Sequence, residues 1–245
     1  MMSIIGRIAS FIYPEHCVRC GELVGDDGKS PFCERCGRMF ENEKLRARSE
    51  NLGQPVAEFG DGKNRERFGL VCFLADYVPG KSLSATDTLI WRLKRNATRD
   101  LLDFISGEMA ELIRREAAEH LRSVRPEDVI VTNVPRRPKT ILEVGYDHMA
   151  DVASLTAKKL GYRYAKLLGR TGKALEQKTL GHEERLENAK NTITVREKDL
   201  AGKTVILMDD IMTTGASLAS SAELLTGAGA EMIISATIAR THAHG

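Results

Sequence analysis

The sequence predicts an α/β fold with a mostly parallel sheet, preceded by a small cysteine-rich head. Two observations carry this prediction. From residue 68 onward, short apolar segments alternate with segments of helical apolar spacing, which is the pattern of strand–helix–strand units. Before residue 46, four of the five cysteines fall in two CxxC pairs within one turn-rich stretch.

The order of the segments gives three expected regions: a head at 1–45, a polar linker at 46–67 and an α/β domain at 68–245. Apolar runs predict strands, and apolar residues at helical spacing predict helices. The expected strands are 68–78, 128–135, 162–168, 203–210 and 231–240, and the expected helices are 87–95, 100–121, 146–161 and 217–229. Cys72 lies in the first strand and is expected to be a buried core thiol.

Composition excludes several classes of protein. Of the 245 residues, 42% are hydrophobic and 29% are charged, as in ordinary globular proteins. A net charge of +2 is too mild to indicate nucleic-acid binding by itself. No apolar run is long enough for a transmembrane segment, and the N-terminus has no convincing cleavage site, so a cytoplasmic protein is expected. Apolar residues at 4–12 share a helical face, which suits either packing on the protein itself or a membrane or partner surface.

The four clustered cysteines predict a structural zinc site. Cys17, Cys20, Cys33 and Cys36 form two CxxC pairs separated by 12 residues. Each pair places two thiolates on one side of a tight turn, and two pairs complete a tetrahedron with no open position for chemistry. A glycine follows each pair, where the backbone is expected to turn towards the sulfurs. Redox or disulfide use and an iron–sulfur cluster remain alternatives.

The stretch "VILMDDIMTTGAS" (205–217) predicts a phosphosugar site. An apolar strand leads into two aspartates, and the carboxyl ends of parallel strands are where ligands bind. The residues after them offer hydroxyls, free backbone amides and a helix N-terminus to a phosphate: Thr213, Thr214, Gly215, Ala216 and Ser217. Asp209 and Asp210 would then bind sugar hydroxyls, or a hydrated Mg²⁺ near them. The alternative is a solvated acidic turn.

These residues resemble the 5-phosphoribosyl-1-pyrophosphate (PRPP) signature of type I phosphoribosyltransferases. With the N-terminal cysteines, the chain resembles the ComF family, a zinc-ribbon head joined to a phosphoribosyltransferase domain and linked to competence and DNA uptake. Three further stretches resemble that family: "LIWRLKRNATRDLLDFISGEMAELI", "VTNVPRRPKTILEVGYDHMADVAS" and "RTGKALEQKTLGHEERLENAKN". The resemblance implies a sheet of the type I phosphoribosyltransferase kind over 68–245.

The resemblance assigns roles to individual residues. Asp209 and Asp210 would hold the ribose hydroxyls as catalytic residues, and residues 213–217 would hold the 5-phosphate. Pyrophosphate would bind to Arg136 and Arg137 in the turn "PRRPK", and to Lys178 and Arg185 in a mobile hood at 169–191. Zinc would be structural, and Mg²⁺ would arrive with PRPP.

One stretch departs from the family pattern. The family has "RGFNQ" where this chain has "VGYDH", Val144 to His148, so acceptor recognition is open. Three functions remain: an active transferase for an unknown acceptor, a catalytically silent PRPP- or nucleotide-binding module, and an adaptor. The adaptor would contact single-stranded DNA or competence-machinery proteins through the head and the stretches "RRPK" and "KRNATR".

Overall fold

The structure is a computed structural model, and it describes residues 16–24, 30–51, 68–77, 84–170, 192–197 and 199–241. Three sequence predictions lie outside these residues: the N-terminal apolar helix, most of the linker, and all but the first two residues of the hood at 169–191.

The described chain alternates strands with helices, as the sequence predicts. A head helix comes first, and the α/β elements follow it. The elements in chain order are α1 (Glu34–Asn51), β1 (Phe68–Asp76), α2 (Ala85–Arg95), α3 (Arg99–Glu116), α4 (Ala118–Leu121), β2 (Val129–Asn133), α5 (Pro138–Val144), α6 (His148–Leu160), β3 (Arg163–Tyr164), β4 (Leu168–Arg170), β5 (Ile193–Val195), β6 (Thr204–Met212), α7 (Ala216–Gly227) and β7 (Met232–Arg240).

Five strands form one parallel sheet in the order β1-β7-β6-β2-β3. The predicted α/β fold with a mostly parallel sheet is therefore confirmed. Strands β4 and β5 form a separate antiparallel pair beside it. Because all five main strands run the same way, their carboxyl ends meet at one edge, and β6 and β2 are neighbours there.

Both faces of the sheet are covered, which explains why the central strands are apolar throughout. One face packs against α2, α3 and α6 through residues such as Val131, Ile206 and Ile234. The other face packs against α7 through residues such as Ile130 and Val205. Cys72 belongs to the first face, is 2% exposed, and burial raises its pKa to about 12, so the prediction of a core thiol is confirmed.

The head shares the core of the α/β elements. Phe32 and Phe40 pack against Phe104 of α3, with ring centroids 6.0 and 5.8 Å away. Glu43 of α1 accepts hydrogen bonds from the backbone amides of Ala85 and Thr86, both at 2.9 Å, and so caps the N-terminus of α2. The described part of the head is therefore built onto the sheet and does not form a core of its own.

Some element boundaries differ from the predictions. Helix α1 continues to Asn51, so the expected head boundary at residue 45 falls inside a helix. The expected helix at 100–121 is interrupted at Ala117, and the expected strand at 162–168 is two short strands. Helix α5 was not predicted; it starts with Pro138 at its first position and ends at Gly145, whose φ of 90° suits glycine.

Candidate functional site

The acidic pair and the arginine turn come together at the carboxyl edge of the sheet. Asn133, the last residue of β2, pairs with Met208 of β6, and the amide of Val134 donates to the carbonyl of Met208 at 2.9 Å. The turn that begins at Pro135 therefore leaves the sheet beside Asp209. Strand β6 continues through both aspartates to Met212, two residues further than predicted, because β7 pairs with it along that length.

Asp210 is held by two side chains from other elements. Lys94, in the last turn of α2, places its Nζ 3.0 Å from Oδ2, and Nε2 of His148, at the start of α6, donates to the same oxygen at 3.0 Å. Oδ1 accepts from the amide of Ile211 at 2.6 Å. Burial alone would raise the pKa of Asp210, but the His148 hydrogen bond and the Lys94 charge outweigh it and lower the pKa to about 2. Asp210 is therefore a fixed anion.

Asp209 has the opposite character. Burial, together with the neighbouring Asp210 charge, raises its pKa well above the ordinary value. Its Oδ1 accepts from the amide of Asp210 at 2.9 Å. The closest positive charges that act on it are Lys94 and Arg170, and they offset the burial only in part. The two adjacent carboxyls therefore differ: one is readily ionised, and the other resists ionisation.

The predicted phosphate loop lies between β6 and α7. Thr213 and Thr214 are exposed, and Gly215 adopts a φ of 72°, in the left-handed region that glycine tolerates. No side chain caps α7 at Gly215, although Oγ1 of Thr214 accepts a long 3.4 Å hydrogen bond from the amide of Ala216. The first turn of α7 includes Ser217, and its backbone N–H groups have no partner within the helix, so they are suited to bind an anion.

The arginine turn carries one inward and one outward side chain. The guanidinium of Arg136 lies 3.5 Å from the carbonyls of Tyr146 and Lys94, which it bridges, whereas Arg137 is exposed. Arg170 of β4 donates to the carbonyl of Pro135 at 3.3 Å. Burial and the Arg137 charge lower the pKa of Arg170. Arg170 thus interacts electrostatically with both Arg137 and Asp209. Lys178 and Arg185, the other predicted pyrophosphate ligands, lie outside the described residues.

Sequence reasoning missed three residues of this edge: Lys94, His148 and Arg170. His148 was noted only as a departure from the family pattern, yet it is 2% exposed and contacts Asp210 directly. Lys94 belongs to two quoted stretches, "LIWRLKRNATRDLLDFISGEMAELI" and "KRNATR", but nothing in a helix sequence shows that its side chain reaches a strand. Asp147 accepts from the amide of Ala150 at 3.3 Å, so this departure caps α6.

The expected Mg²⁺ does not fit as a direct ligand of Asp210. Lys94, His148 and the amide of Ile211 engage three of the four lone pairs of this carboxylate. A metal ion bound to the remaining lone pair would lie close to the Lys94 ammonium and be repelled by it. Asp210 is therefore arranged for hydrogen bonding and not for direct ligation of a cation.

The four cysteines converge as a metal site requires. Their Sγ atoms lie within 4.8 Å of one another, and all four are free thiols. A tetrahedron with Zn–S bonds of about 2.3 Å has sulfurs about 3.8 Å apart, so the residues fit zinc with a small contraction. Cys17, Cys33 and Cys36 are buried, and four sulfur ligands leave no position for a substrate. The cluster could thus hold one structural zinc ion.

The two glycines after the cysteine pairs have different roles. Gly21 has a φ of 75°, and its amide donates to the carbonyl of Cys17 at 3.0 Å, so it closes the first turn as expected. Gly37 lies within α1, and its amide donates to the carbonyl of Cys33 at 2.8 Å. The expectation of a special turn there is wrong, because the second pair begins a helix. His16 is exposed, as expected.

Comparisons with known proteins agree with this geometry in part. The model of the phosphoribosyl transferase domain matches residues 152–245, which include Asp209, Asp210 and the loop at 213–217. No curated protein matches the sequence. The adenine phosphoribosyltransferase of Saccharomyces cerevisiae, in complex with an imino-altritol bisphosphate and adenine, is 19% identical, with 59% of this chain and 70% of that chain covered and a TM-score of 0.37.

A second adenine phosphoribosyltransferase structure is 20% identical over 58% of this chain and 71% of that chain, with a TM-score of 0.36. Both TM-scores lie below 0.5. Residues 152–245 thus match a phosphoribosyl transferase domain and supply three strands of the parallel sheet, and a four-cysteine cluster lies in the head. Among the described helices, none is long and apolar enough to cross a membrane.

Proposed function

We propose that this chain binds PRPP at the carboxyl edge of β2 and β6 and transfers its phosphoribosyl group to an acceptor. One observation carries the proposal: the acidic pair, the loop at 213–217 and the arginine turn lie at one edge, within a sheet whose second half matches the phosphoribosyl transferase domain. Each of these parts suits one part of PRPP.

The 5-phosphate is assigned to the loop at 213–217, where the amides of the first turn of α7 and the hydroxyls of Thr213 and Thr214 donate to it. Asp210, as a fixed anion, has one lone pair left to accept a hydrogen bond from a ribose hydroxyl. Asp209, which resists ionisation, is able to donate as well as accept. Together they orient the sugar ring.

The reaction breaks the bond between C1 of the ribose and the pyrophosphate oxygen, and a nucleophile on the acceptor forms the new bond to C1. The arginine turn and Arg170 receive the departing negative charge, so the contribution of the protein is electrostatic. Asp209 and Asp210 hold the ring while positive charge develops near C1. We assign the expected Mg²⁺ to the pyrophosphate of PRPP, away from Asp210, and derive no step from it.

PRPP should stabilise the protein by about 2.7 kcal/mol at 100 times its dissociation constant. Replacing both aspartates by Asn should abolish this gain in a thermal-shift or calorimetric titration. Lys158→Met, an exposed change in the last turn of α6, is the matched control and should retain it. A double variant that binds PRPP as tightly as wild type would refute the ribose assignment.

A catalytically silent PRPP- or nucleotide-binding module is the second candidate. The observation that favours it is the closed contact of Asp210 with Lys94 and His148, since His148 stands where the family pattern has a different residue. Release of pyrophosphate in the presence of PRPP and a panel of bases separates the two functions. Tight binding of PRPP without pyrophosphate release from any acceptor would favour the silent module.

We further propose that the protein is of the ComF type, cytoplasmic and linked to competence, with a zinc-binding head at 1–45, a linker at 46–67 and a transferase domain at 68–245. Trp91 supports contact with single-stranded DNA, because it is 49% exposed and lies against the guanidinium groups of Arg92 and Arg95. An oligonucleotide should bind with strong salt dependence and weaken with Trp91→Ala. Equal binding by wild type and variant would remove DNA from the proposal.

A further inference from the structure

The proposed reaction leaves one charged side chain at the site without a role. Lys94 extends from the last turn of α2 to Oδ2 of Asp210, at 3.0 Å, and its side chain is 35% exposed. It is therefore both committed to the acidic pair and open to a ligand.

The end of α2 is fixed in this position. The hydroxyl of Tyr146 donates to the carbonyl of Leu93 at 2.8 Å and accepts from the amide of Ala97 at 3.1 Å. The guanidinium of Arg136 lies 3.5 Å from the carbonyl of Lys94. These contacts hold the end of α2 against the loop that precedes α6, so Lys94 starts from an ordered backbone.

The negative charge of Asp210 is already balanced by the protein. Asp210 faces the Lys94 ammonium and the His148 imidazole, and Asp209 experiences the charges of Lys94 and Arg170. The carboxyl that is readily ionised, Asp210, thus already faces a permanent cation, the Lys94 ammonium. A divalent cation ligated by Asp210 would bring further positive charge to a carboxylate that the Lys94 ammonium already neutralises, and the ammonium would have to move away.

We propose that the Lys94 ammonium takes the place of a divalent cation at the Asp210 carboxylate, so that PRPP binds this edge without a metal ion ligated by the aspartate pair. The ammonium has three donors and uses one on Asp210. The others would donate to the ligand, beside the ribose hydroxyl from which Asp210 accepts. This inference rests on the proposed function and concerns how the same site neutralises its own charge.

The first test is calorimetric titration of the full-length protein with PRPP, in EDTA and in Mg²⁺. Wild type should bind PRPP in EDTA, with a dissociation constant within about tenfold of the value in Mg²⁺. Lys94→Met should weaken binding in EDTA by about ten- to hundredfold, the range for a lost charge-assisted contact, and Mg²⁺ should restore most of it. Lys94→Arg and the control Lys158→Met should resemble wild type.

The second test measures the metal without PRPP. Electron paramagnetic resonance should show no tight Mn²⁺ binding by wild type beyond the head, and one new Mn²⁺ site in Lys94→Met that Asp210→Asn removes. Wild-type protein that binds Mn²⁺ tightly, with the site lost in Asp210→Asn, would overturn the inference, and so would PRPP binding that requires Mg²⁺ equally in wild type and Lys94→Met. Absence of PRPP binding under every condition would instead refute the proposed function. The wild-type Mn²⁺ measurement decides the inference even if Lys94→Met fails to fold.

Discussion

Replacing an aspartate by Asn at the end of β6 should lower the stability of the fold at Asp210, and should leave it unchanged or raise it at Asp209. Asp210 has a pKa of about 2, against an ordinary value of 3.8, because His148 and Lys94 outweigh the effect of its burial. At 1.36 kcal/mol per pKa unit, its ionised form stabilises the fold by about 2 kcal/mol. Asp209 has a raised pKa, so its ionised form is disfavoured in the folded protein.

Asp210→Asn should therefore lower the melting temperature at pH 7, by about 4–8 °C, since 1 kcal/mol corresponds to about 2–4 °C in a chain of this size. Asp209→Asn should leave the melting temperature unchanged or raise it, because it removes a carboxyl that resists ionisation. Differential scanning calorimetry of the two variants and wild type, without ligand, measures both effects under the same conditions.

The dependence on pH provides an internal check on the Asp210 variant. A carboxyl with a lowered folded-state pKa stabilises fully above its unfolded pKa near 3.8, and this stabilisation is lost as pH falls through the folded-state value of about 2. The difference between wild type and Asp210→Asn should thus be constant above about pH 5 and shrink below pH 4. This reasoning would be refuted if Asp209→Asn lost as much stability as Asp210→Asn. It would also be refuted if the stability difference between wild type and Asp210→Asn did not change with pH.

Three further predictions concern the head and the hood. Cys33→Ser should remove about one zinc per chain and lower the main unfolding transition, because the head shares the core; an unchanged main transition would mean that the head unfolds separately. Glu43→Gln should destabilise the fold by about 1–2 kcal/mol in chemical denaturation, because it places a side-chain amide against the backbone N–H groups that the carboxylate caps. Glu41→Gln, an exposed change on the same helix, is the control and should have little effect. Saturating PRPP should slow trypsin cleavage after Arg185, and equal rates would contradict the hood assignment.

The positions of the main strands could be predicted from sequence because a parallel sheet covered on both faces requires apolar runs. The run "VILM" before Asp209 identifies β6, and the alternation with helices identifies the α/β class. Boundaries were less accurate where pairing with a neighbour decides them. Strand β6 continues through its two aspartates only because β7 offers partners as far as Arg240, and periodicity carries no information about a neighbour.

For the candidate site, the sequence indicates only the residues that lie next to one another in the chain. The acidic pair and the proposed phosphate loop are contiguous in sequence, so a short motif is enough to propose them. Lys94 and His148 meet Asp210 from positions more than 60 residues away, and their contacts exist only after α2 and α6 pack beside β6. The division into head, linker and domain is inferred from the polar linker and stays a prediction. The ring contact between Phe32 and Phe104 shows that the described part of the head packs against α3, which composition does not reveal.

The shared core has a consequence for synthesis of the chain. Phe40 is made 64 residues before Phe104, its aromatic partner in α3. At about 5–20 residues per second, the head waits roughly 3–13 s on the ribosome before the surface that covers it exists. During that interval only contacts within the head can order it, among them the four thiols within 4.8 Å of one another. Metal supply during translation, and not only after it, should therefore determine how much of the protein reaches the folded state.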